Sequence, residues 1–143
     1  MNIEELERRL HQEGCNGFVI QGRSFGPEID AFCVELWGTE WNIFYRERGS
    51  DSPPIYTTAS EADACEFFLE HMKKQPNWHC VGFFKNETYA TTLEAKLRDL
   101  CVDPIRNDIP TFAHADDPRY RVFVAGRQIH VVRDILQTLP EHD

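Results

Sequence analysis

The sequence predicts an α+β fold: one domain over residues 1–143, with a mainly antiparallel sheet and helices packed on it. Three observations lead there. Strand-like segments with alternating hydrophobicity come in hairpin-spaced runs, so the order reads α-β-β-β-β-α-β-α-β-α rather than a regular β-α alternation. Gly38-Thr39-Glu40 is short enough to turn a hairpin between two of these strands. And 143 residues, 41% of them hydrophobic, suffice for one well-buried core but not for two full-sized ones.

Asn2 followed by Glu5 has the spacing of a capping box. Ile3, Leu6 and Leu10 then form one apolar stripe on a short helix that Gly14 can end. Residues 18–20 read as a strand and residues 21–28 as a polar loop broken by Gly22, Gly26 and Pro27. Phe32, Val34 and Leu36 alternate with Cys33, Glu35 and Trp37, the period of a half-buried strand. Gly38-Thr39-Glu40 turns this strand into a second one over residues 41–46. Both faces of that strand are substantially apolar, which makes it central and covered on both sides. Residues 49–54 read as a loop and 55–58 as a third strand.

Ser60 and Asp63 start a helix that runs to Lys74. Its inward stripe is Cys65, Phe68, Leu69 and Met72 with Ala64, while Asp63, Glu66 and Glu70 line a different face. Residues 78–84 form a strand, and Asn86 caps a helix with the stripe Tyr89, Leu93, Leu97 and Leu100. Residues 104–118, with three prolines, form an irregular connection that is either functional or packed down by Ile105, Ile109 and Phe112. A strand over residues 119–125, a turn at Gly126-Arg127 and a helix with Ile129, Val132, Ile135 and Leu136 inward complete the chain.

Five cysteines (Cys15, Cys33, Cys65, Cys80, Cys101) are scattered, with no CxxC pair. Cys33, Cys65 and Cys80 lie in apolar patterns, so reduced thiols are expected, with Cys33, Cys65 and Cys80 as small buried apolar groups. No apolar run approaches the ~20 residues that span a bilayer, and the acidic N-terminus lacks a signal-peptide pattern. A cytoplasmic protein is expected. All the net charge of −9 resides in residues 1–72, which hold 14 acidic residues against five arginines. Such a field repels nucleic acid and anionic membranes and attracts a basic partner.

No motif for a catalytic nucleophile, a zinc protease, a phosphate loop or a dinucleotide fold occurs, and no cofactor is expected. His114, Asp116 and Asp117 put three ligand-type side chains in four residues, but an Asp-Asp-Pro turn accounts for the acids equally well. His79 and Cys80 are strand neighbours and should diverge. Glu47, between Arg46 and Arg48, reads as a strand-end ion pair rather than an acid–base catalyst.

Residues 41–49 (WNIFYRERG), followed by residues 64–70 (ACEFFLE), resemble a group of small bacterial proteins in which a Trp-x-hydrophobic-aromatic-Tyr-x-Glu-Arg-Gly strand end precedes an Ala-Cys-Glu-aromatic-aromatic helix. These are immunity proteins encoded beside polymorphic or contact-dependent growth-inhibition toxins. The resemblance covers residues 1–74; residues 75–143 complete the same domain. It implies a non-enzymatic inhibitor that binds a cognate toxin one to one, and it carries over no contact residue. From the charge alone, the candidate surface is Glu35, Glu40, Glu47, Asp51, Asp63, Glu66 and Glu70. The competing reading is a small enzyme or metal-dependent regulator using the loop of His114, Asp116 and Asp117.

Overall fold

Helix α1 (Ile3–Gln12) begins and ends as its residues require. The Asn2 side chain accepts a hydrogen bond from the Glu5 N–H at 2.9 Å, pairing one of the donors that a helix start leaves open. Gly14 takes φ +70°. Its N–H then reaches the His11 carbonyl, and the Cys15 N–H reaches that of Leu10 (3.0 and 2.9 Å), the bond pair of a Schellman end. The computed structural model describes residues 1–24 and 30–133. They gather into two compact units, Met1–Asn77 and Trp78–Asp143. Helices and mostly antiparallel strands occur in both, so the fold class is α+β.

The first unit contains β1 (Phe18–Ile20), β2 (Arg23–Ser24), β3 (Asp30–Trp37), β4 (Glu40–Glu47), β5 (Ser50–Asp51) and β6 (Tyr56–Thr58). They form one sheet in the order β2-β1-β3-β4-β5, with β6 also on β4. β1 runs parallel to β3; the other pairings are antiparallel. Two-residue turns set the register. Gln21-Gly22 and Arg48-Gly49 both have positive φ at each residue (+51° and +77°, +50° and +83°), as type I′ hairpins need. Each turn carries the pairing two residues further, which places β2 and β5 in stretches whose composition reads as loop. Residues 25–28 of the first stretch lie outside the described residues.

β4 is central, between β3 on one side and β5 and β6 on the other. Its two faces are both buried. Trp41 and Ile43 join Leu6, Leu10, Phe18, Val34 and the inward side of α2 (Glu61–Lys73) in the main core. Phe44 is buried on the opposite face with Val19, Ala31 and Cys33. From α2, Ala64, Cys65, Phe68, Leu69 and Met72 point inward as their spacing predicts. Each large side chain buried there contributes about 1.5–3 kcal/mol.

The end of α2 is held by Asn77, only 7% exposed and at φ +49°. Its Nδ2 donates to the carbonyls of Met72 (2.8 Å) and Gln75 (3.1 Å), while its Oδ1 accepts from the Asn16 N–H (3.1 Å). One side chain thereby ties the segment after α1 to the last turn of α2.

In the second unit β7 (Trp78–Phe84), β8 (Ile105–Arg106) and β9 (Tyr120–Ala125) form a sheet ordered β7-β9-β8. Helix α3 (Glu87–Asp99) and the short α4 (Gln128–Val132) complete the unit. The buried stripe of α3 is Ala90, Leu93 and Leu97, not the expected stripe of Tyr89, Leu93, Leu97 and Leu100. Tyr89 and Leu100 are about two-fifths exposed (39% and 41%). Leu93 and Leu97 are inward as expected, and close packing accounts for the change at the helix start. The small Ala90 faces the core instead of Tyr89, and β7 meets the helix at Gly82, where a Cβ would lie 2.6 Å from Phe84 and 2.7 Å from Leu93.

Residues 104–118 are pinned chiefly by charge. Arg106 reaches Glu94 on α3 (2.6 Å), Asp108 (2.7 Å) and Glu87 (3.3 Å), and Ile109 bridges to Arg119. Phe112 stays half-exposed, though its ring lies edge-on to Phe83. Of the closing helix Ile129 and Val132 pack inward, while Ile135 and Leu136 lie outside the described residues. All five cysteines are free: Cys15, Cys33 and Cys65 buried, Cys80 and Cys101 exposed. The expectation for Cys80 is thus corrected. The β7 register shifts between Cys80 and Gly82, which breaks the alternation on which that expectation rests. Among the described residues no helix is long and apolar enough to cross a membrane.

Candidate functional site

An open groove of about 380 Å³ lies in the first unit, between the outer side of α2 and the edge strand β6. Asp63, Glu66, Phe67, Glu70, His71 and Lys74 line it from the helix, and Tyr56 from the strand. On α2 these positions recur at three- and four-residue steps, so one helical face supplies them all. β6 is held in register by a cross-strand pair. Thr57 Oγ1 donates to Asn42 Oδ1 at 2.8 Å, and the Asn42 Nδ2 donates to the Glu40 carbonyl. That pairing places Tyr56 opposite Ile43, on the helix-facing side.

The wall is a chain of rings. Tyr56 stacks on Phe67 with centroids 4.3 Å apart and planes within 7°. Phe67 lies parallel to His71 at 6.0 Å. The His71 ring meets Phe32 edge-on at 4.4 Å, and Phe32 packs on Tyr45 at 4.8 Å. Aromatic pairs at such distances add about 0.5–1.5 kcal/mol each beyond area burial. The His71 Nε2 is buried in this wall without a hydrogen-bond partner among the described residues. Burial, and secondarily the nearby Lys74, hold the His71 imidazole below its ordinary pKa and so favour its neutral form.

The rim is acidic and only partly compensated. Glu70 pairs with Lys73 at 3.4 Å. Asp63 and Glu66 have no ion-pair or side-chain hydrogen-bond partner among the described residues. Asp63 is left available by the way α2 starts. Ser60 Oγ accepts from the Asp63 N–H (3.1 Å), but Thr58 Oγ1, not the Asp63 carboxylate, accepts from the Ser60 N–H (3.1 Å). Lys74 stands eleven residues along from Asp63, ~16 Å by helical rise. The groove is therefore negative toward the start of α2 and positive at its far end. Residues 1–77 as a whole carry 14 acidic side chains against seven lysines and arginines.

The seven acids singled out from the sequence do not form one surface. Asp63, Glu66 and Glu70 meet at the groove. Glu35 and Asp51 surround Arg46, on the sheet face shared with Phe44, because alternation along a strand sends neighbours to opposite faces. Asp51 holds the guanidinium through bonds of 2.7 and 3.3 Å, which lowers the Asp51 pKa; Glu35 lies 3.9 Å away and accepts the Trp37 indole N–H. Glu40 and Glu47 are exposed at opposite ends of β4. Glu47 makes no ion pair among the described residues, contrary to expectation. Arg46 sits directly opposite Asp51 in the hairpin, and Arg48 occupies the turn.

Tyr56, Phe67, His71 and Lys74 were not among the candidates. The i, i+4, i+7 spacing of Phe67, His71 and Lys74 beside the acidic stripe was a legible signal. The approach of Tyr56 was not, since it depends on the pairing of β6 with β4.

Elsewhere, polar side chains serve structure. Asp117 accepts from Arg119 Nη1 (2.6 Å) and from the Ala113 N–H (3.0 Å), which lowers its pKa and closes its loop. His114 Nδ1 lies 2.7 Å from the Ala115 carbonyl. Among the described residues no group of three His, Cys, Asp or Glu side chains is placed to hold a metal ion. Burial pushes the Cys15, Cys33 and Cys65 thiols up to about 11, far from reactive thiolates.

The fold and groove define a class: an α+β protein whose first unit offers an acidic cleft with an aromatic wall. Comparison of the chain with family models, curated proteins and solved structures gives no match.

Proposed function

We propose that this protein is a cytoplasmic immunity protein, which binds a basic toxin domain one to one and neutralises it by covering its active site or an essential surface. It acts by binding, not by catalysis, and needs no cofactor. The observation that carries this reading is the groove rim, where Asp63 and Glu66 have no ion-pair partner among the described residues, in the unit that holds most of the negative charge. Maintaining like charges a turn apart on a helix is mildly destabilising, so a cationic partner that cancels them gains both association rate and specificity. The resemblance of residues 41–49 and 64–70 to immunity proteins agrees with this, and both stretches lie in the first unit.

Co-expression with the product of the adjacent reading frame tests the proposal. The expected outcome is rescue of growth and co-purification of a one-to-one complex. Its association rate should fall as salt rises, since charges more than about 10 Å apart are screened at 0.1 M. No rescue and no complex would refute it.

A further inference from the structure

We propose that the open face of the β7-β9-β8 sheet docks an extended peptide segment of a partner protein, one that presents a carboxylate between two apolar side chains. This surface belongs to the second unit and does not depend on the groove of the first. Alternation along β9 sends Val122 and Val124 into the core with Leu93 and Leu97 of α3, and Arg121 and Phe123 to the opposite face. The register sets Phe83 opposite Arg121, and both Cys80 and Ile105 opposite Phe123. None of these five side chains is buried. A sheet face that meets water is usually polar. This one is chiefly aromatic and apolar, and exposed patches of that kind mark binding surfaces.

The patch is a continuous strip. The Trp78 ring, 41% exposed, packs on Phe123 at 5.7 Å, and the Arg121 guanidinium lies over Phe123 at 5.1 Å. Phe83 meets Phe112 at 5.3 Å. Phe112 is 51% exposed yet firmly held: its N–H donates to the Asp117 carbonyl at 2.8 Å, and Arg119, paired with the Asp117 carboxylate, lies over its ring at 4.5 Å. From Trp78 to Phe83 the strip runs about 15 Å at the rise of a strand. That is close to the span of five extended residues, whose first, third and fifth side chains point to one side.

Charge selects the occupant. Arg106 and Arg119 are paired with carboxylates, but Arg121 is not. Its Nε donates to the Asn107 carbonyl at 2.7 Å, while its two terminal nitrogens make no hydrogen bond or ion pair among the described residues. A guanidinium fixed at Nε and against a ring presents those nitrogens to a planar oxyanion, for which a carboxylate is the match. Single-stranded nucleic acid also stacks on rings, but its affinity comes from many phosphates. Among the described residues of this face one guanidinium is unpaired, in a chain of net charge −9, so the peptide is favoured.

The test is a nuclear magnetic resonance titration of the full chain with acetyl-Phe-Ser-Glu-Ser-Phe-amide, and separately with its glutamine version and with a short oligothymidylate. The glutamate peptide is expected to shift the side-chain signals of Trp78, Phe83, Phe112 and Phe123 saturably. It should bind about fivefold more tightly than the glutamine peptide. Arg121→Gln should bring the glutamate peptide to the affinity of the glutamine peptide, with the signals of Leu93 and Val122, and hence the fold, unchanged. Phe112→Ala should weaken both peptides alike. Equal affinities of the two peptides for the parent chain, shifts centred on another surface, or no saturable shift would overturn the proposal. Tighter binding of the oligothymidylate than of the glutamate peptide would overturn the peptide as occupant. No toxin enters this titration, so its failure leaves a successful growth rescue standing.

Discussion

Replacing Asn77 by Ala removes a side chain that joins two backbone segments and fixes the end of α2, and with it the His71 and Lys74 end of the groove. Three hydrogen bonds are lost, at 2.8, 3.1 and 3.1 Å, each contributing about 0.5–1.5 kcal/mol net. Alanine must also hold φ +49°, which costs roughly 1–2 kcal/mol for a residue with a Cβ. The sum is about 2.5–6.5 kcal/mol, a large share of the ~5–15 kcal/mol that keeps a domain folded. Asn77→Gly loses the same bonds but adopts the positive φ freely, so it should be less destabilising by about 1 kcal/mol. Urea unfolding of the reduced protein, followed by tryptophan fluorescence and circular dichroism, measures both. An alanine variant within about 0.5 kcal/mol of the parent would refute the clasp, since surface changes lie in that range. Equal losses for Ala and Gly would refute the backbone part of the reasoning.

Three further outcomes are expected. Gly82→Ala puts a methyl against Phe84 and Leu93 at 2.6–2.7 Å and should destabilise by about 1–3 kcal/mol, read as a lower thermal midpoint. Cys101, in the left-handed conformation at the end of α3 (φ +61°), is a site where Cys101→Gly should add about 1 kcal/mol; a loss in urea unfolding would count against this. His71 resists protonation in the folded state because it is buried and near Lys74. Unfolded, it takes up a proton as pH falls through about 6.5. Its contribution to stability is therefore lost on acidification from that point down to the depressed folded value. His71→Phe should flatten the stability profile between about pH 7.5 and 5.5 while removing an unpaired buried nitrogen, and an unchanged slope would contradict the account.

How much was legible in the sequence depended on range. Caps and inward stripes of α1 and α2 were readable from Asn2, Ser60 and the spacing of Leu6, Leu10, Phe68 and Met72, because helices answer to local rules. The central place of β4 followed from its two apolar faces. β2, β5 and β8, each two residues long, show no periodicity and exist only through pairing with distant partners. In α3 the inward Leu93 and Leu97 were legible, but Ala90 takes the first inward place instead of Tyr89, which the close approach at Gly82 favours, and Leu100 falls at the cap. At the groove, the acids of α2 were visible, but separating them from Glu35 and Asp51 required knowing which sheet face each strand residue takes.

The most direct test of the acidic groove as the recognition site is the affinity of the Asp63→Asn/Glu66→Gln double variant for the adjacent-frame product. It would be measured by titration calorimetry beside Glu40→Gln/Glu47→Gln, which removes the same charge outside the groove. The expected result is a Kd raised about tenfold or more, 1.4 kcal/mol at least, for the groove variant, and a much smaller change for the control. Equal effects of the two pairs, or none, would contradict the groove's role.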